Sequence, residues 1–173
     1  MQRGPFAGFY LVSALPSPAG GAERWAARHS DGRQAEVLFG DESLVQAASK
    51  LPQGGPWGVI LTGKDEAGFW VLIPGDLLCS LTQLRGKISA RAAFVVGHLI
   101  LEALDAVHDA GEHHGRLAPE HVGFDSDGVL RVRARPDVAP TEDIESTALP
   151  QDTDCWAVGG LIHFALGLSL IHI

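Results

Sequence analysis

The sequence is poor in the residues that build covalent or strongly charged frameworks. Two cysteines, Cys79 and Cys155, stand in 173 residues, too few and too far apart to staple a small domain, so a reducing compartment is the natural setting. Basic residues are scarce too: 13 Lys and Arg face 21 Asp and Glu, for a net charge of −8. With no basic stripe either, a nucleic-acid surface is excluded, because a phosphate backbone calls for clustered cations. No apolar run approaches the ~20 residues that span a bilayer. The opening MQRGPFAGFYLV also lacks the basic-then-apolar order of a secretory signal. The expectation is a soluble, cytoplasmic chain with no nucleic-acid partner and no membrane contact in this stretch.

What is present is globular in character. Hydrophobic residues make up 46% and charged ones 20%, enough apolar material for one domain or two small lobes. FYLVSAL and RWAARHS read as strands separated by the Pro/Gly-rich LPSPAGGAE. Asp31-Gly32 is a hairpin turn, and AEVLF a third strand. DESLVQAASKL, acidic at its start and ending near Lys50, reads as a short helix that QGGP then breaks. GVILTGKDEAGFWVLIPG is a hairpin with Gly63, Asp65 and Gly68 in its turn, and Trp57 and Trp70 beside it read as core. After Pro74-Gly75 the period changes. Ser89 caps a helix in which Phe94, Gly97, Ile100, Leu101, Leu104 and Val107 recur up to Gly111. VGFDSDGVLRVRA reads as a hairpin turning at Asp127-Gly128, residues 136–153 as loop, and DCWAVGGLIHFALG as a buried apolar helix. There is no internal repeat.

Between the long helix and that last hairpin stands HGRLAPEH, residues 114–121. In this order and spacing the chain resembles the eukaryote-like Ser/Thr protein kinase fold, as found in bacteria, over nearly its whole length. HGRLAPEH resembles the family's catalytic-loop motif H-R-D-L-K-P-E-N. DTDCWAVGG resembles its D-x-W-S-x-G helix start through Asp154, Trp156 and Gly159. The resemblance implies an α+β, two-lobe protein-kinase-like fold: a small antiparallel-sheet N-lobe over residues 1–74 and an incomplete helical C-lobe over residues 75–167. It also implies structural roles for His114, packed under the loop, and for Asp154, receiving backbone N–H groups from around His114 to Arg116.

The same positions show what is missing. Arg116 stands where the family has its catalytic Asp, Ala118 where it has a phosphate-neutralising Lys, and His121 where it has a metal-binding Asn. Arginine stays protonated and has no acceptor, so it cannot act as a base. Ala134 falls on the Mg²⁺-binding Asp of the D-F-G motif, and the nearest carboxylate, Asp137, stands three residues further on. The glycine-rich loop is degenerate, with Ser17, Ala19 and Ala22 on its three glycine positions. The strand Lys is replaced by Leu38, or by Val37 if the register slips by one, which leaves Glu42 on the next helix without an ion-pair partner of that kind. No catalytic, cofactor-binding or metal-ligating residue is therefore expected. Apolar adenine contacts leave room only for weak, metal-free ATP binding.

Simpler readings stand beside these. His108, His113, His114 and His121 are rich in potential ligands, but their spacing matches no zinc signature and neither cysteine pairs with them in sequence. DVAPTEDIES reads as a solvated loop, with a docking or phosphorylation segment at Thr141, Ser146 or Thr147 as its alternative. LSLIHI, residues 168–173, reads as the translation of a sequencing-library adaptor. The expected function is that of a pseudokinase: a catalytically inactive regulatory or scaffolding module for a protein partner, either an active kinase or a fused downstream domain. The alternative is an active Ser/Thr kinase transferring phosphate from ATP to protein.

Overall fold

The computed structural model describes residues 4–17, 21–58, 60–66, 68–75, 77–115, 117–133 and 150–168. The chain is mixed α+β, and its described residues fall into two compact units, those up to 75 in the first and those from 77 onward in the second.

In the first unit, strands β1 (Phe9–Leu15), β2 (Glu23–His29) and β3 (Gln34–Gly40) are followed by helix α1 (Glu42–Ser49), a single 3₁₀ turn at Gly55–Trp57, and strands β4 (Leu61–Asp65) and β5 (Gly68–Pro74). The five strands form one antiparallel sheet in the order β1-β2-β3-β5-β4. The Asp31-Gly32 turn closes the second hairpin: Asp31 Oδ1 accepts from the Arg33 N–H at 3.0 Å, and His29 N–H donates to the Arg33 carbonyl at 2.9 Å. Asp41 caps α1 by accepting from the Ser43 N–H at 2.9 Å.

Five consecutive residues of β3, Ala35 to Phe39, are buried, so this central strand is covered on both faces. On one face Val37 lies opposite Leu72, and Phe39 opposite Trp70. Phe6 folds back over this face, stacking edge-on against Phe39 and Trp70 with ring centroids 5.3 and 5.4 Å away. It is held there by paired backbone bonds to Phe9. On the other face Leu38 lies opposite Val71, and α1 packs against β4 and β5, burying Leu44 and Ala48 one helical turn apart.

The hairpin expected over GVILTGKDEAGFWVLIPG needs a correction. Gly63 is in β4, opposite Trp70, and not in the turn. A Cβ at Gly63 would collide with the Trp70 indole, so the glycine serves a close approach. Trp57 is fully buried and Trp70 half-buried.

The second unit contains β6 (Cys79–Ser80), α2 (Leu81–Leu84), α3 (Ala90–His108), β7 (Val122–Phe124), β8 (Leu130–Val132) and α4 (Pro150–Ala165). The hairpin expected at Asp127-Gly128 is β7–β8, and the two-residue β6, which was not expected, joins it in a small antiparallel sheet. Ser89 caps α3, its Oγ accepting from the Ala92 N–H at 3.2 Å. The buried stripe of α3 is Ala93, Val96, Gly97, Ile100, Ala103, Leu104 and Val107. Phe94 and Leu101, expected on that stripe, are exposed.

Gly97 lets α4 approach, since a Cβ there would meet the Ile162 side chain. Residues 150–153, expected in a loop, are the first turn of α4, a place where proline is tolerated because its missing N–H has no helical partner to lose. Nor is α4 buried throughout. Asp154, Val158, Leu161 and Ala165 form one buried face, while Cys155, Trp156 and Gly159 are exposed. The rest of the loop expected at 136–153, with Asp137, Thr141, Ser146 and Thr147, lies outside the described residues, as do Ala19, Arg116, Ala134 and the tail after Leu168.

Candidate functional site

Helix α3 ends where Gly111, Glu112 and the residues after them turn the chain back. Gly111 N–H donates to the His108 carbonyl at 2.9 Å, and Glu112 N–H to the Val107 carbonyl at 3.1 Å. The chain then enters the 114–121 loop. Gly115 has a φ of +71°, a left-handed conformation that costs glycine little.

Two successive backbone N–H groups meet one carboxylate there. His114 N–H donates to Asp154 Oδ2 at 2.7 Å, and Gly115 N–H donates to Oδ1 at 2.9 Å. Oδ2 also accepts from His108 Nε2 at 3.0 Å. Asp154 is 1% exposed, so the end of α3, the start of the loop and the first turns of α4 converge on a carboxylate removed from water. Three donors compensate its desolvation, which an isolated buried charge could not survive.

The far side of the loop is tied to the hairpin. His114 Nε2 donates to the Arg133 carbonyl at 3.1 Å, which fixes its tautomer, because a carbonyl can only accept. Arg133 N–H donates to the His121 carbonyl at 2.7 Å, and His121 N–H to that of Ala118 at 2.9 Å. The His114 and His121 rings lie 6.2 Å apart. Burial pushes the His114 pKa below the ordinary histidine value, against the Arg133 carbonyl and the Asp154 charge, which raise it.

The structure thus brings together His114, Ala118, His121 and Asp154 in the second unit. None of the three loop residues offers a carboxylate or an ammonium group. Trp156, at 80% exposure, and Gly159, with open space around it, lie on the outer side of α4. Leu38 and Val37 belong to the first unit, both fully buried in β3 on opposite faces. Ser17, Ala22 and Glu42 of the same unit are at least partly accessible to solvent. Among the described residues no three His, Cys, Asp or Glu side chains are grouped to hold a metal ion, and Cys79 and Cys155 are free thiols. No helix among them is long and apolar enough to cross a membrane.

Two residues escaped the reading of the sequence. His108 figured there only as a possible ligand, whereas it donates to Asp154. Glu36, buried at 2% exposure, pairs with Arg24. A lone acid inside the run AEVLF was the available signal, since a charge in a strand covered on both faces needs a partner. No protein-family model matches the chain, and no curated protein does either.

Proposed function

We propose that the chain is a protein-kinase-like, two-lobe domain without phosphotransfer chemistry, a pseudokinase that acts as a regulatory or scaffolding module for a protein partner. The order of elements supports this reading: three antiparallel strands, a helix, two more strands, then a two-residue strand and a short helix, a long helix, a loop, a hairpin and a further helix.

The observation that carries it is the loop itself. Asp154 holds the backbone at His114 and Gly115 from below, so the loop has a built framework. Yet Ala118 and His121 occupy the positions that would handle phosphate and metal, and Leu38 is buried in the strand that would present the lysine. Arg116, in the loop, and Ala134, after the hairpin, complete the five replacements. Phosphoryl transfer depends almost wholly on placed charges and metal ions, and five replaced positions remove them together. Exposed Trp156 and Phe94 offer apolar surface for a protein partner to cover.

The test is thermal unfolding of the chain with ATP, with and without Mg²⁺. The proposal predicts at most a small shift that is the same in both. A stabilisation that requires Mg²⁺ overturns it, because it would show a metal–nucleotide site.

A further inference from the structure

Glu36 lies in the middle of the central strand, opposite Ala26 on β2 and Ile73 on β5, with Leu38 next along the same face. A carboxylate on such an apolar face must be compensated. Arg24 does so: its Nε donates to Glu36 Oε1. The same guanidinium donates through Nη1 to the Pro16 carbonyl at 2.9 Å. Arg24 is paired with Leu15 at the end of the β1–β2 hairpin next to the connection. One planar group therefore joins the end of β1, the start of β2 and the middle of β3.

We propose that Arg24 is a latch, with Glu36 as its catch, fixing the base of the β1–β2 connection to the central strand. The fork of the guanidinium is essential, since two differently directed N–H groups serve two acceptors; a lysine ammonium keeps the charge but not that geometry. Opening the connection at its base breaks the bond from Arg24 to the Pro16 carbonyl, and a guanidinium anchored on the buried Glu36 cannot follow the departing chain, so the hairpin end opens rarely. The latch lies wholly within the first unit and is independent of the kinase-like reading.

Hydrogen exchange across residues 15–24, measured in the whole chain, tests it. Arg24→Lys should speed exchange there about tenfold or more, the loss expected for a hydrogen bond to a charged group, and leave exchange in α3 unchanged. The double variant R24M/E36M removes both charges, so the sheet should still fold, and its residues 15–24 should exchange as fast as those of Arg24→Lys. Exchange as slow as the unaltered chain in the double variant overturns the latch, because strand pairing alone would then hold the connection. Failure of the double variant to fold overturns it as well, since the pair would then be holding the sheet and not the hairpin end.

Discussion

Among the described residues each unit buries one charged side chain, Glu36 in the first and Asp154 in the second, and the two are compensated differently. Glu36 is matched by a cation whose side chain is 16% exposed. Asp154 is matched by two backbone N–H groups and a histidine. A cation near the end of a strand, partly open to solvent, can return to water when its partner is lost. Backbone donors cannot leave. The first arrangement holds one hairpin end in place, and the second fixes the start of a loop at His114 and Gly115.

The largest effect should therefore come from Asp154→Ala. It leaves the donors at His114, Gly115 and His108 without their common acceptor, at a cost on the order of 3–5 kcal/mol, measured as a fall in the urea midpoint. Asp154→Asn keeps an acceptor and should lose less. Equal losses would mean that charge, and not geometry, holds the loop.

Next comes an asymmetry within the first unit. Arg24→Ala withdraws the cation from a carboxylate that is nearly inaccessible, and should cost about 3 kcal/mol. Glu36→Ala releases a guanidinium that can reach solvent, and should cost roughly 1–2 kcal/mol by chemical unfolding. The reverse order would show that Arg24 is the more deeply buried partner.

Glycines give a smaller contrast. A Cβ at Gly123 meets the backbone of Cys79 and Ser80, whereas one at Gly63 meets the Trp70 side chain. Side chains move more readily than paired strands. Gly123→Ala should cost about 1–3 kcal/mol and Gly63→Ala less, compared through thermal midpoints.

How much of this was legible depends on whether the determinant was local. The strands and turns around Asp31-Gly32 and Asp127-Gly128 were readable, because alternation and turn chemistry lie within a few residues of each other. The contact between Asp154 and the backbone at 114–115 was readable only through the family resemblance, since the partners are some forty positions apart. Residues 136–153 read as loop, yet Pro150 begins a helix there, where a missing N–H costs nothing. The two-residue β6 was illegible: its pairing depends on Gly123 admitting the Cys79 carbonyl, and nothing near Cys79 announces that. Phe94 and Leu101 misled because an apolar residue at helical spacing can face outward as well as inward.

The smallest effect concerns pH. His114 has its pKa held below the ordinary value of 6.5 by burial. On acidification the unfolded chain takes up this proton first. The stability that neutral His114 contributes is complete above about pH 6.5 and is lost as pH falls through its lower folded-state pKa. Urea unfolding at pH 7.5 and 5.5 should show a loss that His114→Gln reduces. An equal loss in the variant would remove His114 as its source.

The central claim is that the 114–121 loop keeps its framework and has lost its chemistry. Radiolabelled phosphate transfer from ATP, with Mg²⁺ or Mn²⁺, to the chain itself and to a generic protein substrate tests it most directly. The account predicts no transfer above that of a heat-denatured control. Transfer by the unaltered chain that disappears in a folded Asp154→Asn variant would contradict it.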